Sequence, residues 1–96
     1  MEVRLRPEAE RDIWEAALWY EQQLPRLGHD FLDELLVALS AMADAPLMYP
    51  LVHRETRRQL MKRFPFGIYY RVEDSLIVVL AVMHGSRDPN RWKTRI

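Results

Sequence analysis

Two apolar runs near the C-terminal end set the frame of this chain. Residues 76–84, Leu-Ile-Val-Val-Leu-Ala-Val-Met-His, are apolar at both alternating sets of positions, the pattern of a strand buried on both faces. Residues 67–72 form a second strand-like run, and Glu73-Asp74-Ser75 between the two is a short polar turn that closes a hairpin. An edge position would expose Ile77, Val79 and Met83, so strand 76–84 is expected inside an antiparallel sheet with 67–72 beside it.

Upstream the pattern changes period. Residues 2–6 alternate and predict a short strand with Val3 and Leu5 inward. Pro7 then suits the first position of a helix, where its missing N–H is no loss. Ala9, Ile13, Ala16, Ala17 and Tyr20 follow at helical spacing, with Glu8, Glu10 and Asp12 at the positive end of the helix dipole. Leu24-Pro25-Arg26-Leu27-Gly28 reads as a break, punctuated by Pro25 and Gly28. A second helix is predicted from about His29 to Ala45 on the steps of Phe31, Leu32, Leu35, Leu36, Leu39, Met42 and Ala43, and Pro46 stops it. The short connection makes the two helices an antiparallel hairpin.

Pro46 to His53 reads as a loop, and Thr56 to Lys62 as a basic, less buried strand. On that strand Arg58 and Lys62 would point one way, Arg57 and Arg63 mostly the other. Asp88-Pro89 is a helix-start pair, with Trp92 placed to anchor a last short helix. The expected fold is α+β, a single domain over 1–96. Its order is β-α-α-β-β-β with a short C-terminal helix, the helix hairpin packed on a mainly antiparallel sheet.

Charge adds what the pattern cannot. The formal net charge is zero, yet residues 1–50 carry four arginines against ten acids and residues 51–96 carry ten Lys/Arg against four acids. A basic half suits an anionic or acidic partner, either nucleic acid or a protein with an acidic segment; equally, the two halves can neutralise each other across the fold. There are no cysteines, no apolar run of membrane-spanning length, and no apolar stretch after the charged N-terminus. A cytoplasmic protein is the expectation.

Catalytic signals are sparse. His29, His53 and His84 stand far apart and no pair has metal-ligand spacing, so no metal is expected. His84 ends the buried strand with Arg87 close behind, a posture open to acid–base chemistry or to plain hydrogen bonding at a strand end. Arg54, Arg57, Arg58, Lys62 and Arg63 suit phosphates, acidic partner residues, or a solvated edge protected by charge. Trp14, Trp19, Tyr20, Tyr69, Tyr70 and Trp92 together exceed what one small core hides, so a partner covering some of them is expected.

The ordered set of Trp19-Tyr20, Phe31-Leu32, Pro46, Phe64-Pro65-Phe66, Ile68-Tyr69-Tyr70, His84, Arg87-Asp88-Pro89 and Trp92 resembles the ParE branch of the RelE/ParE toxin superfamily over nearly the whole chain. That resemblance implies the toxin of a type II toxin–antitoxin module, held inactive by a cognate antitoxin whose flexible segment wraps it. It implies DNA gyrase as the target, reached by protein binding with no cofactor and without direct specific DNA binding. Arg87, Arg91 and Trp92 are then the expected target-binding residues, and Trp14, Trp19, Arg57 and Arg58 the expected antitoxin contacts. RelE-like members are instead ribosome-dependent mRNA endonucleases, for which His84, Arg87 and Arg58 would form the site. Those ribonucleases often carry an arginine where this chain has Gly67 and an aromatic residue where it has Gly85, which favours the ParE branch. A degenerate member retained as an interaction module is the third reading.

Overall fold

The computed structural model describes residues 1–85 and 89–95. Its elements are β1 (Glu2–Leu5), α1 (Pro7–Gln23), α2 (Leu27–Asp44), β2 (Leu51–His53), β3 (Thr56–Leu60), β4 (Phe66–Glu73), β5 (Leu76–His84) and α3 (Pro89–Arg95). The strands form one sheet in the order β1-β5-β4-β3-β2. β5 is antiparallel to β4 and parallel to β1, so the most apolar strand is flanked on both sides, as its pattern requires. The fold is α+β, with a helix hairpin on a mixed sheet.

Each face of β5 has its own cover. On one side Ile77, Val79 and Val82 join Ile68 and Tyr70 beneath Ala9, Ile13, Ala16 and Ala17 of α1 and Phe31, Leu35, Ala38 and Met42 of α2. On the other side Ala81 and Met83 meet Tyr69 and Trp92, the latter delivered by α3. The change of phase between Val79 and Ala81 has a visible cause. Tyr69 pairs with Ala81 but Tyr70 pairs with Val79, leaving Leu80 as an extra residue, a β-bulge.

Helices α1 and α2 begin without side-chain caps of their own. Pro7 opens α1 while the Arg6 amide still donates to Val79 O at 3.0 Å, prolonging the ladder past the end of β1. At α2 the cap comes from the neighbouring helix. Arg26 takes a left-handed conformation with φ 75°. The Glu21 carboxylate accepts the amides of Arg26 at 2.9 Å and Gly28 at 3.1 Å. These bonds, the Arg26 one foremost, hold the Glu21 carboxyl below its ordinary value.

Three expectations need correcting. Gly28 lies inside α2 rather than in the break, because α1 crosses so closely that a Cβ there would stand 2.5 Å from Ala17 O. The segment 46–53 is not all loop, since Leu51–His53 forms edge strand β2 on β3. β3 ends at Leu60 instead of Lys62, because the Lys62 and Arg63 amides turn to the Glu34 carboxylate, at 2.7 and 3.0 Å. The predicted facing of Lys62 and Arg63 along a strand therefore does not apply. Among the described residues no helix is long and apolar enough to cross a membrane.

Candidate functional site

Three surfaces hold the residues that the sequence singles out. The first is the outside of the helix hairpin. A helix sheds to solvent whatever lies off its buried stripe, and on α1 those positions hold Trp14, Leu18 and Trp19, which are 57%, 62% and 56% exposed. On α2 Leu36 and Val37 are exposed in the same way. Trp19 sets its ring edge-on to Tyr20, 5.2 Å away, so its direction is fixed even though its face is open. Tyr69, Tyr70 and Trp92 are buried, so the surplus of aromatic surface reduces to the two tryptophans of α1.

The second surface is a cleft of about 760 Å³ where α1 passes the ends of β4 and β5. Asp12, Glu15 and Trp19 line one wall, Phe66 and His84 the other, and Arg91 reaches it from α3. His84 pairs with Phe66 across the ladder, its ring 5.4 Å from the Phe66 ring, and Phe66 packs with Phe31 and Tyr20. His84 thus faces the helix side of the sheet. Asp12 has a bonding role at the cleft that sequence reasoning missed. One of its oxygens accepts both the Val82 amide at 3.0 Å and the Arg95 guanidinium at 2.5 Å. β1 has ended by this point, so the Val82 amide would otherwise face the cleft unpaired. The signal was present: position 12 lies between Ala9, Ile13 and Ala16, an acid set in the apolar stripe.

The third surface is the opposite face of the sheet. Tyr69 and Trp92 stack there with centroids 4.8 Å apart and planes 21° from parallel. Trp92 is buried, so it fastens α3 to the sheet, with Arg91 and Lys93 exposed on either side of it in the chain. Arg58 lies beside Tyr69 in the β3–β4 register and runs its stem over Gly67, where a Cβ would meet Arg58 Cδ at 3.1 Å. The space left by the missing side chain at Gly67 is therefore filled by Arg58.

Arg57 points the other way, toward Tyr70, and its guanidinium donates to the carbonyls of Leu47 at 3.2 Å and Tyr49 at 2.7 Å. It is engaged in holding the 47–49 segment. Tyr70 hydroxyl donates to Pro46 O at 2.6 Å, and burial pushes its phenol up to about 12. Arg58 and His84, grouped by the ribonuclease reading, lie on opposite faces of the sheet and do not converge. Arg87 and Asp88 lie outside the described residues. Among the described residues no three His, Cys, Asp or Glu side chains gather as a metal site requires.

Comparison with known proteins places this geometry in context. Residues 3–89 match the family model for the ParE toxin of the type II toxin–antitoxin system parDE. Toxin ParE2 of Mycobacterium tuberculosis is 28% identical over 98 aligned positions, covering 98% of this chain and 90% of that protein. The fold superposes on a chain of the chromosomal ParDE TA system from P. aeruginosa with a TM-score of 0.79 at 16% identity, covering 88% of this chain and 95% of that one. A chain of the toxin–antitoxin complex RelBE2 from Mycobacterium tuberculosis gives 0.57 at 24% identity, covering 86% and 95%. At such identities the structural matches speak for the fold, and the family match rests on the sequence.

Proposed function

The chain belongs to the ParE toxin family of type II toxin–antitoxin systems, and on that premise we propose that it is a cytoplasmic toxin that inhibits DNA gyrase by binding it and is silenced by a cognate antitoxin. One observation carries the reading. The helix hairpin turns Trp14, Leu18, Trp19, Leu36 and Val37 to solvent on a chain whose second half is basic. An exposed apolar surface on a chain with a basic half suits a partner segment that folds as it binds and wraps around the chain, burying its apolar side on the helices and setting acids against the arginines of the sheet. Trp14 and Trp19 are the apolar anchors for that segment, and Arg58 supplies charge. Arg57 is a weaker candidate, because its guanidinium already serves two carbonyls. The names of the matched relatives, a ParDE system and a RelBE2 toxin–antitoxin complex, support an antitoxin partner.

The gyrase contact is assigned to α3 and the residues just before it. Arg91 is exposed there, and Arg87 joins it by sequence, while Trp92 holds the helix in place from beneath. Cationic and aromatic residues on a small convex element are frequent interface anchors. The ribonuclease alternative needs His84 and Arg58 in one site, and their placement on opposite faces weighs against it. Inducing the chain alone, with separate readouts for DNA damage and for mRNA cleavage, tests the proposal. DNA damage relieved by co-expressed antitoxin is expected; mRNA cleavage without DNA damage would move the assignment to a RelE-like nuclease, and no growth defect to an interaction module.

A further inference from the structure

Three cross-strand neighbours on the outer face of the sheet carry polar side chains to one cavity. His53 pairs with Thr56 across β2 and β3. Thr56 precedes Arg57, the partner of Tyr70, and so stands across from Arg71 on β4. His53, Thr56 and Arg71 therefore form one row over three strands, on the same face, with neighbouring Cβ atoms about 5 Å apart. The ring of His53 marks the face, since it lies 6.1 Å from that of Trp92. A cavity of about 350 Å³ is lined by these three residues together with Arg54 and Glu55, which make the turn between β2 and β3.

Two features here are not explained by packing. Arg71 Nε is buried and has no hydrogen-bond partner, because Glu73 meets the guanidinium at Nη2, at 3.0 Å, and leaves Nε unserved. A native fold rarely keeps such a donor without an acceptor. Arg54 holds φ at 52°, at a tight-turn position that glycine, asparagine or aspartate ordinarily fills. Among the described residues no hydrogen bond or ion pair engages its side chain. Backbone strain kept at an unengaged cation points to use of that cation.

We propose that this cavity binds a single hydrogen phosphate ion, held by Arg54 and Arg71 with the Thr56 hydroxyl and a His53 ring N–H. The donors come from two directions, a row on the sheet and a turn at its edge, which suits a tetrahedral anion better than the flat fork of a carboxylate. Glu55 decides between tetrahedral anions. An ionised carboxylate only accepts hydrogen bonds, and hydrogen phosphate keeps a proton to donate at neutral pH where sulfate keeps none. Glu55 and Glu73 also repel a continuous polyanion. Tyr69 and Trp92 are buried against each other on this face, so the bases of a nucleic acid have no ring to stack on. At the small end of the range for ligand pockets, the cavity suits one ion with its waters. None of its residues is among those assigned above to the antitoxin or to gyrase, so the site stands independently of that reading.

The test uses the full chain at neutral pH, with binding read from the rise in melting temperature as inorganic phosphate replaces chloride at constant ionic strength. A saturable rise is expected, and none up to about 20 mM phosphate overturns the site. Arg71→Lys keeps the charge and loses the fork, and is expected to weaken phosphate binding about tenfold. Arg54→Gly is expected to weaken it about tenfold without lowering the phosphate-free melting temperature, because glycine takes a positive φ without strain. Lys62→Gln, an exposed cation outside the cavity, is the control for plain charge and is expected to stay within about twofold. Near-UV circular dichroism checks folding, and Arg54 lies on an exposed turn, where a change to glycine leaves the core untouched. Wild-type affinity in either arginine variant overturns the site. Sulfate is expected to bind about tenfold more weakly than phosphate, and Glu55→Gln to narrow that gap. Sulfate or acetate binding as tightly as phosphate to the unaltered chain overturns the choice of ligand.

Discussion

Arg95 donates to the same Asp12 oxygen that accepts the Val82 amide, so one carboxylate joins α3, α1 and β5. Asp12 stands where β1 stops serving β5, and it continues the ladder with a side chain. Asp12→Ala leaves the Val82 amide without an acceptor and unfastens α3. A loss of about 1–3 kcal/mol is expected in urea unfolding, the range for removing one partner of a part-buried bond. Arg95→Ala should cost less, since the amide keeps its acceptor, while raising proteolysis near the C-terminal end. Equal effects of the two variants would show that the amide bond contributes little.

The Glu21 cap makes the hairpin turn sensitive to acid. Its folded carboxyl is held below the ordinary value of 4.5, chiefly by the Arg26 amide. The stability this gives is fully present above that ordinary value and is lost as pH falls through the lower folded one. Glu21→Gln should therefore flatten the acid limb of the stability–pH curve and leave the neutral plateau lower. Tyr70 acts at the other end. Burial raises its phenol from 10.0 to about 12, so its contribution is complete below pH 10 and disappears as pH rises toward 12. Tyr70→Phe should blunt the alkaline loss and, by leaving Pro46 O without its donor, lower stability at neutral pH by about 1 kcal/mol. Unfolding midpoints measured across the pH range check both limbs.

Gly28 tests the packing of the hairpin. A methyl group there would meet Ala17 O at 2.5 Å and the Glu21 side chain at 3.0 Å, and a backbone oxygen cannot swing aside. Gly28→Ala should destabilise by about 1–3 kcal/mol through forced separation of the helices, although alanine is the better helix former in isolation. A rise in melting temperature would mean that the helices can part without loss.

Much of this fold was legible in the sequence, and the failures have physical causes. The two-sided apolar run of 76–84 fixed the place of β5, and the helical spacing of Ala9, Ile13, Ala16 and Ala17 fixed the buried face of α1. Gly28 was misplaced because local propensity treats glycine as a breaker, whereas here a distant helix requires it. β2 was missed because three residues on an edge carry too little pattern. The basic stretch was visible, but its division was not. Which arginine faces inward depends on register against β4, and only pairing shows that Arg57 serves carbonyls while Arg58 lies on the other face.

The proposed target-binding surface yields the last prediction. Deleting residues 86–96 is not a clean test, because Trp92 covers Tyr69, Ala81 and Met83 and its loss would uncover an apolar face of the sheet. Point substitutions separate contact from support. Arg91→Ala removes an exposed cation from α3 and should reduce growth inhibition at least about tenfold with an unchanged melting temperature, as expected of an interface anchor. Trp92→Ala should lower both, since the helix loses its seat. Under gyrase binding, His84→Ala should have a modest effect, because its ring lies against Phe66 on the helix side. Were His84 a proton-transfer group, the same change would remove about 10²–10⁴-fold of the activity. A folded His84→Ala protein without toxicity, beside a fully toxic Arg91→Ala protein, would therefore reverse the assignment.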